Sequence, residues 1–233
     1  MLDTGPAPPS KNASMKSLTL WVSRCTTWGL PRLIDPSMSS TKIGLIADTH
    51  MPGAIEHLWP EALAFFEGCD AILHAGDLHT LDIVDTLSEI APTYVALGNG
   101  DIGMTDPRLK SSWRLDFEGT IIGMMHHCPS PARKPETVVM KAIQKRFETP
   151  PNILIFGHTH AESVTVLKEL VLVNPGSPTL PNNRSLRRGT LGMIELMHSA
   201  ATITLHQITE AGVVQHPTIA PLTWSSTTGA ISV

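Results

Sequence analysis

Two short runs carry the same spacing of ligand-competent side chains, Asp48-Thr-His50 and His158-Thr-His160. Between them lie Gly76-Asp77, Gly98-Asn99-Gly100-Asp101 and His126-His127. Carboxylate and amide oxygens together with imidazole nitrogens make a donor set of hard and borderline character. Such a set suits Mn, Fe, Zn, Ni or Co better than Ca or Mg alone. Two divalent ions held roughly 3.5–4 Å apart need a bridging carboxylate, with His and oxygen donors on each side. Asp48, His50, Asp77, Asn99, His126, His158 and His160 supply that inventory. Taken singly, each reads more simply as a structural group. It is the ordered series that points to metal chemistry.

Each of these residues closes an apolar run. Ile43 to Ala47, Ala71 to Ala75, Thr93 to Leu97, Ile121 to Met125 and Ile153 to Phe156 read as strands. Alternation along a strand puts Asp48 and His50, two apart, on one face. In α/β sheets, ligands bind in the crevice beyond the carboxyl ends of the strands. Gly76, Gly98 and Gly157 each precede a ligand, where the chain must leave its strand and turn sharply, and a missing Cβ permits this.

Helices fall between the strands. Pro60 opens one whose stripe includes Leu63 and Phe66 and stops at Gly68. A second spans about Leu81 to Ile90, with Leu81, Val84 and Leu87 inward, and Pro92 stops it. Trp113–Glu118 and Thr120–Met125 read as a hairpin around Glu118-Gly119. Pro135 opens a third helix with Val139, Ile143 and Phe147 at four-residue spacing. After Phe156 only strands follow, at about 163–168, 170–173, 191–196 and 202–208. A β-α-β-α-β half implies a parallel sheet with right-handed crossovers. With the strand-rich half behind it, the order predicts an α/β fold of two packed mixed β-sheets flanked by helices. Residues 41–212 form the single domain. Residues 1–40, rich in Pro, Ser and Thr, read as a disordered or non-native extension, with Met38 as an alternative start. Residues 213–233 read as a loose C-terminal tail.

The totals agree with a folded, water-exposed domain: 233 residues, 42% hydrophobic and 16% charged. A formal net charge of -4 offers no general attraction for a polyanion, so nucleic acid is disfavoured as a partner. The three cysteines are odd in number and not motif-spaced, which argues for a reducing compartment without disulfides. No apolar run approaches the roughly 20 residues that span a bilayer. The short apolar stretch near Leu18 to Val22 is broken by Arg24 and lacks a small-residue cleavage site, so a cytoplasmic location is expected. Eleven histidines, several at strand ends, are the compositional oddity.

In order and spacing, the series Asp-x-His, Gly-Asp, Gly-Asn-x-Asp, His, Gly-His-x-His resembles the calcineurin-like metallophosphoesterase superfamily. The compact size, Gly-Asn-x-Asp, Gly-His-Thr-His and Asn174-Pro-Gly-Ser177 resemble its small bacterial and archaeal phosphodiesterase branch, related to the retromer subunit of eukaryotes. The likeness runs from about Ile43 to Ser177 and implies a four-layer α/β/β/α sandwich. It implies two divalent transition-metal ions, manganese first, with Ni, Zn, Fe or Co as alternatives. One would take Asp48, His50, Asp77 and His160. The other would take Asp77, Asn99, His126 and His158, with Asp77 bridging. The implied reaction is hydrolysis of a small phosphate ester by a water or hydroxide held between the ions. Asp101 is expected to orient His50 or another imidazole.

Two positions depart from the pattern. The larger superfamily has a proton-donating His where this chain has Gly100. Its loss, typically worth 10²–10⁴-fold, would favour activated or diester substrates over alkyl monoesters. His127 stands where small relatives often have Gly, and it would contact substrate or partly restore the missing acid. A scaffold of the same fold is the rival reading, a nuclease the third, and a homo-oligomer is left open. Beside these, His74 reads as a hydrogen-bonded core residue and His79 as the start of a helix, near the site but not a ligand. Cys128 has no base and orienter around it, so thiol chemistry is not expected. Arg184, Arg187 and Arg188 read equally as a phosphate clamp and as a solvated loop.

Overall fold

Thr41–Ile46 (β1), Ala71–His74 (β2) and Thr93–Ala96 (β3) run parallel, with Ile43 opposite Ala71 and Ile72 opposite Thr93. They belong to a computed structural model in which residues 40–198, 200–226 and 229–232 are described. The crossovers carry Pro60–Phe66 (α1) and Asp82–Ser88 (α2). Pro60 at the first helical position has its ring-fixed φ already suited to the helix. Leu109–Lys110 (β4), too short to show a period, adds to β3. On the other side of β1, Thr190–Met197 (β10) and Ala200–Thr209 (β11) continue the sheet antiparallel.

Trp113–Phe117 (β5) and Thr120–Met124 (β6) form the expected hairpin, and Glu118 and Gly119 at its tip both have positive φ. Glu136–Gln144 (α3) then leads to Ile153–Ile155 (β7), parallel to β6. Ser163–Leu167 (β8) and Leu170–Asn174 (β9) complete this second sheet. Among the described residues, nine strands make the first sheet and five the second.

Three apolar clusters define the layers. Leu45, Leu73 and Ile203 of the first sheet meet Ile122, Ile153 and Val171 of the second. Ile72 on the outer face of the first sheet packs with Phe66 of α1 and Val84 and Leu87 of α2. Leu154 and Leu172, outward on the second sheet, pack with Val139, Ile143 and Phe147 around α3. The period-2 alternation of β1 sorts Ile43 and Leu45 to the inner cluster and Ile46 to the outer one. The fold is therefore the four-layer α/β/β/α sandwich, with both sheets apolar on two faces. No described helix is long and apolar enough to cross a membrane.

One expectation is overturned. The tail expected to be loose forms Gly212–Gln215 (β12), Leu222–Ser225 (β13) and Gly229–Ser232 (β14). β13 pairs with β11 and buries Leu222 and Trp224 against the inter-sheet cluster. The pairing partner lies in another element, so local Pro, Ser and Thr content did not reveal it. The expectation for residues 1–40 lies outside the described residues as far as residue 39.

Candidate metal centre

All seven predicted ligands stand beyond the carboxyl ends of parallel strands, where the two sheets meet at one edge. Asp48 and His50 follow β1, Asp77 follows β2 and Asn99 follows β3. His126 follows β6, and His158 and His160 follow β7. The local geometry differs from the strand alternation expected for Asp48 and His50. β1 ends at Ile46, and Asp48 (φ 55°), His50 (45°), Asp77 (60°), His158 (70°) and His160 (54°) all adopt left-handed backbone. Such conformations are uncommon in residues with a Cβ and persist where the surroundings fix them. Here the chain after β1 stays bonded to the chain after β2. The Asp48 N–H donates to Gly76 O (2.8 Å), His50 to Asp77 O (2.9 Å) and Met51 to Leu78 O (2.9 Å).

Donor atoms gather in two groups, Asp48 with His50 and His160, and Asp77 with His126 and His158; within each, the atoms lie within 4.8 Å of one another. Asp77 Oδ2 lies between the groups, 3.6 Å from His50 Nε2 and 3.5 Å from His126 Nε2. Its other oxygen accepts the Gly100 N–H at 2.7 Å, which fixes the carboxylate plane. Asn99 Oδ1 joins the second group, 3.1 Å from His126 Nε2 and 3.0 Å from His158 Nδ1.

Second bonds set the imidazole tautomers. His126 Nδ1 donates to Ala75 O (2.7 Å) and His160 Nδ1 to Leu180 O (2.8 Å), so each ring turns Nε2 toward the centre. His50 Nε2 and His160 Nε2 then face each other at 3.0 Å. The carboxylates differ in how strongly they hold a proton. Burial pushes Asp48 up to about 6, against the lowering effect of His160 and His126. Burial also opposes ionisation of Asp77, yet the His126 hydrogen bond, the Gly100 N–H and the imidazoles hold it well below the usual carboxylate range. His50 is lowered by burial, as is His158, where His126 and His127 add to the effect.

A divalent cation fits these residues. Asp48 Oδ2 is buried with no hydrogen-bond partner, while its Oδ1 accepts the His158 N–H at 3.0 Å. A buried carboxylate oxygen left unpaired is costly, and a cation would satisfy it. The glycines serve space more than torsion. Gly98 is extended (φ -93°, ψ -177°), but a Cβ there would collide with Asp77 Oδ1. Gly76 alone of the three predicted hinges has positive φ.

Among the described residues Asp101 makes no hydrogen bond to an imidazole, contrary to expectation. Its carboxylate accepts the N–H groups of Asp77 (2.9 Å), Leu78 (2.7 Å), His79 (3.2 Å) and Gly98 (2.8 Å), tying the β2 loop to the β3 loop. His127 is exposed, its ring 4.7 Å from that of His158. His74 is buried as expected, bonded to Thr49 Oγ1 and the Gly76 N–H. The Cys128 thiol is pushed up to about 12 by burial, which agrees with an inert role. Arg188 is engaged by Glu61 at 2.8 Å and by the Trp59 ring, so it clamps no phosphate here. Arg184 and Arg187 instead line a cavity of about 560 Å³ that reaches His160.

Sequence reasoning missed two contributions. Asn174 and Ser177 clamp the site loops: Asn174 Nδ2 donates to Gly157 O (3.1 Å) and Ser177 Oγ to Asp48 O (2.8 Å). His79 lies before α2, not in it, with Nε2 3.0 Å from His50 Nδ1. The signal was present, because Asp77-Leu-His79 repeats the spacing of Asp48-Thr-His50.

Comparison with known proteins follows the same lines. Residues 41–198 match the calcineurin-like phosphoesterase superfamily domain. A probable metallophosphoesterase of Methanothermobacter thermautotrophicus is 35% identical over 141 residues, 60% of this chain and 78% of that protein. Vacuolar protein sorting 29 from Cryptosporidium parvum superposes with a TM-score of 0.65 at 17% identity, over 80% of this chain and 99% of that one. Wild-type Vps29 of Entamoeba histolytica, complexed with zinc, gives a TM-score of 0.59 at 21% identity, over 76% and 97% of the two chains.

Proposed function

The chain belongs to the calcineurin-like phosphoesterase superfamily, and from that premise we propose that this metal-dependent phosphoesterase is a phosphodiesterase working with two divalent transition-metal ions. The observation that carries the two-ion reading is the position of Asp77 Oδ2 between His50 and His126, at 3.6 and 3.5 Å. Asp48, His50, Asp77 and His160 would hold one ion, and Asp77, Asn99, His126 and His158 the other. Manganese is the first choice, with Ni, Zn, Fe or Co accepted by the same donors. When bound, the ions lower the pKa of water toward neutrality and offset charge on phosphoryl oxygens.

The protein's part is to orient and to hold. Asp77 keeps one oxygen on Gly100 and frees the other. The Ala75 and Leu180 carbonyls keep His126 and His160 in the ligating tautomer. A diester is supported by room beside both donor groups. One cavity reaches His160, and another of about 470 Å³ is lined by Asn99, His126, His127 and Arg146. Gly100 has no side chain to protonate a leaving group, and such help is typically worth roughly 10²–10⁴-fold, so activated or diester substrates would be favoured over alkyl monoesters. His127, exposed with its ring 4.7 Å from that of His158, would contact substrate or partly restore the missing acid.

The test is hydrolysis of bis-p-nitrophenyl phosphate by metal-stripped protein, with and without added Mn, beside Asp77→Ala and an alkyl monoester. Turnover should need the metal, vanish in Asp77→Ala and be far slower on the alkyl ester. Comparable rates on the two esters would remove the diester assignment. The likeness to Vps29 structures supports a second reading, a catalytically weak scaffold of this fold. A folded protein with no turnover under any of the five metals would establish it over the enzyme.

A further inference from the structure

We propose that His79 is the positioning residue for His50, and that position 100 is glycine because the His79 ring fills the space a side chain there would need. This rests on the two-ion reading, in which His50 is a ligand. His50 turns Nε2 inward, 3.0 Å from His160 Nε2 and 3.6 Å from Asp77 Oδ2. For that nitrogen to offer a lone pair, the ring proton must sit on Nδ1, which then needs an acceptor. His126 and His160 each find a main-chain carbonyl for this purpose. His50 does not; among the described residues its Nδ1 is bonded to His79 Nε2 alone, at 3.0 Å. The rings meet edge-on, 83° apart with centroids at 4.6 Å, so His50 also packs against the ring that accepts its proton.

The rest of the neighbourhood fixes His79 in this role. Its backbone is left-handed (φ 75°), and its N–H is held by Asp101 Oδ1 at 3.2 Å. A Cβ built on Gly100 would lie 2.5 Å from His79 Nε2 and 2.6 Å from its Cδ2. Any side chain at 100 therefore displaces the His79 ring, while the Gly100 N–H bond to Asp77, made by backbone, can persist. His79 acts through His50 and touches no proposed ion position itself. The consequence is that Asp77-Leu-His79 is a composite unit: the carboxylate binds, and the imidazole two residues on orients the neighbouring ligand.

The experiment titrates the full, metal-stripped chain with Co²⁺, following heat and visible absorption, for wild type, His79→Leu, His79→Gln and Gly100→Ala. Loss of an outer hydrogen-bond partner typically costs 10–100-fold in metal affinity. His79→Leu should weaken one of two binding events by that factor and shift its absorption band. His79→Gln, whose amide oxygen can accept the same proton, should recover most of the affinity. Gly100→Ala should reproduce the His79→Leu loss, which keeps the test sound should His79→Leu fold poorly. Undiminished uptake in His79→Leu and Gly100→Ala, beside normal wild-type uptake, overturns this inference alone. A wild-type chain that takes up no Co²⁺ overturns the two-ion reading and this inference with it.

Discussion

At the scale of single residues, burial decides what each titratable group does. Asp48 and Asp77 are both buried, yet their shifts run in opposite directions: burial dominates at Asp48, while N–H and imidazole neighbours dominate at Asp77. His74 shows the same competition without a ligand role. It is fully buried against Thr49 and Gly76, and burial pushes it down to about 4 from 6.5. As pH falls below 6.5 the unfolded chain takes up a proton that the folded chain refuses, so stability present at neutral pH is lost. Between pH 7 and pH 5 this residue should remove about 2 kcal/mol from the metal-free protein. Urea denaturation of His74→Gln should show a pH 7 to 5 loss smaller by that amount, and an equal loss in both proteins would contradict the assignment. The seven donor residues that converge at the sheet edge were legible as a set, because donor type and order are properties of sequence. Their left-handed torsions were not legible, since five residues with a Cβ give no sign of accepting them. The role of Gly98 was read as a turn and proved to be clearance for Asp77.

At the scale of elements, strand ends do the positioning, and their lengths follow from burial. β1, β2, β3, β6 and β7 are apolar runs of three to six residues that stop where the site begins. Runs of this kind were readable because both faces are covered and the hydrophobic residues are contiguous. β13 was not readable: four residues, Leu222–Ser225, cannot display a period amid Pro, Ser and Thr, and their partner β11 is a separate strand. Its inward residue Trp224 is 3% exposed, within the cluster between the sheets. Trp224→Ala should therefore destabilise the fold by about 3–5 kcal/mol, read as a lower urea midpoint. An unchanged midpoint would restore the loose-tail description of this region. The helices were legible because proline marks the starts of α1 and α3 and lies beyond the end of α2, and apolar spacing marks their inner faces.

At the scale of the whole molecule, the centre exists because two sheets share an edge. Asp48, His50, Asp77 and Asn99 come from the first sheet, and His126, His158 and His160 from the second. Each proposed ion draws on both, so binding would link the two layers and add to the stability of the packed state. The order of elements made the two-sheet sandwich legible, but no sequence pattern gives the distance between sheets, and that distance brings Asp77 midway between the donor groups. The central claim is therefore about two positions in space. The most direct measurement is anomalous diffraction at the manganese edge from crystals of the chain equilibrated with Mn²⁺. The account predicts two peaks bridged by Asp77, one against Asp48, His50 and His160, the other against Asn99, His126 and His158. A single peak, or density at neither position, would contradict it.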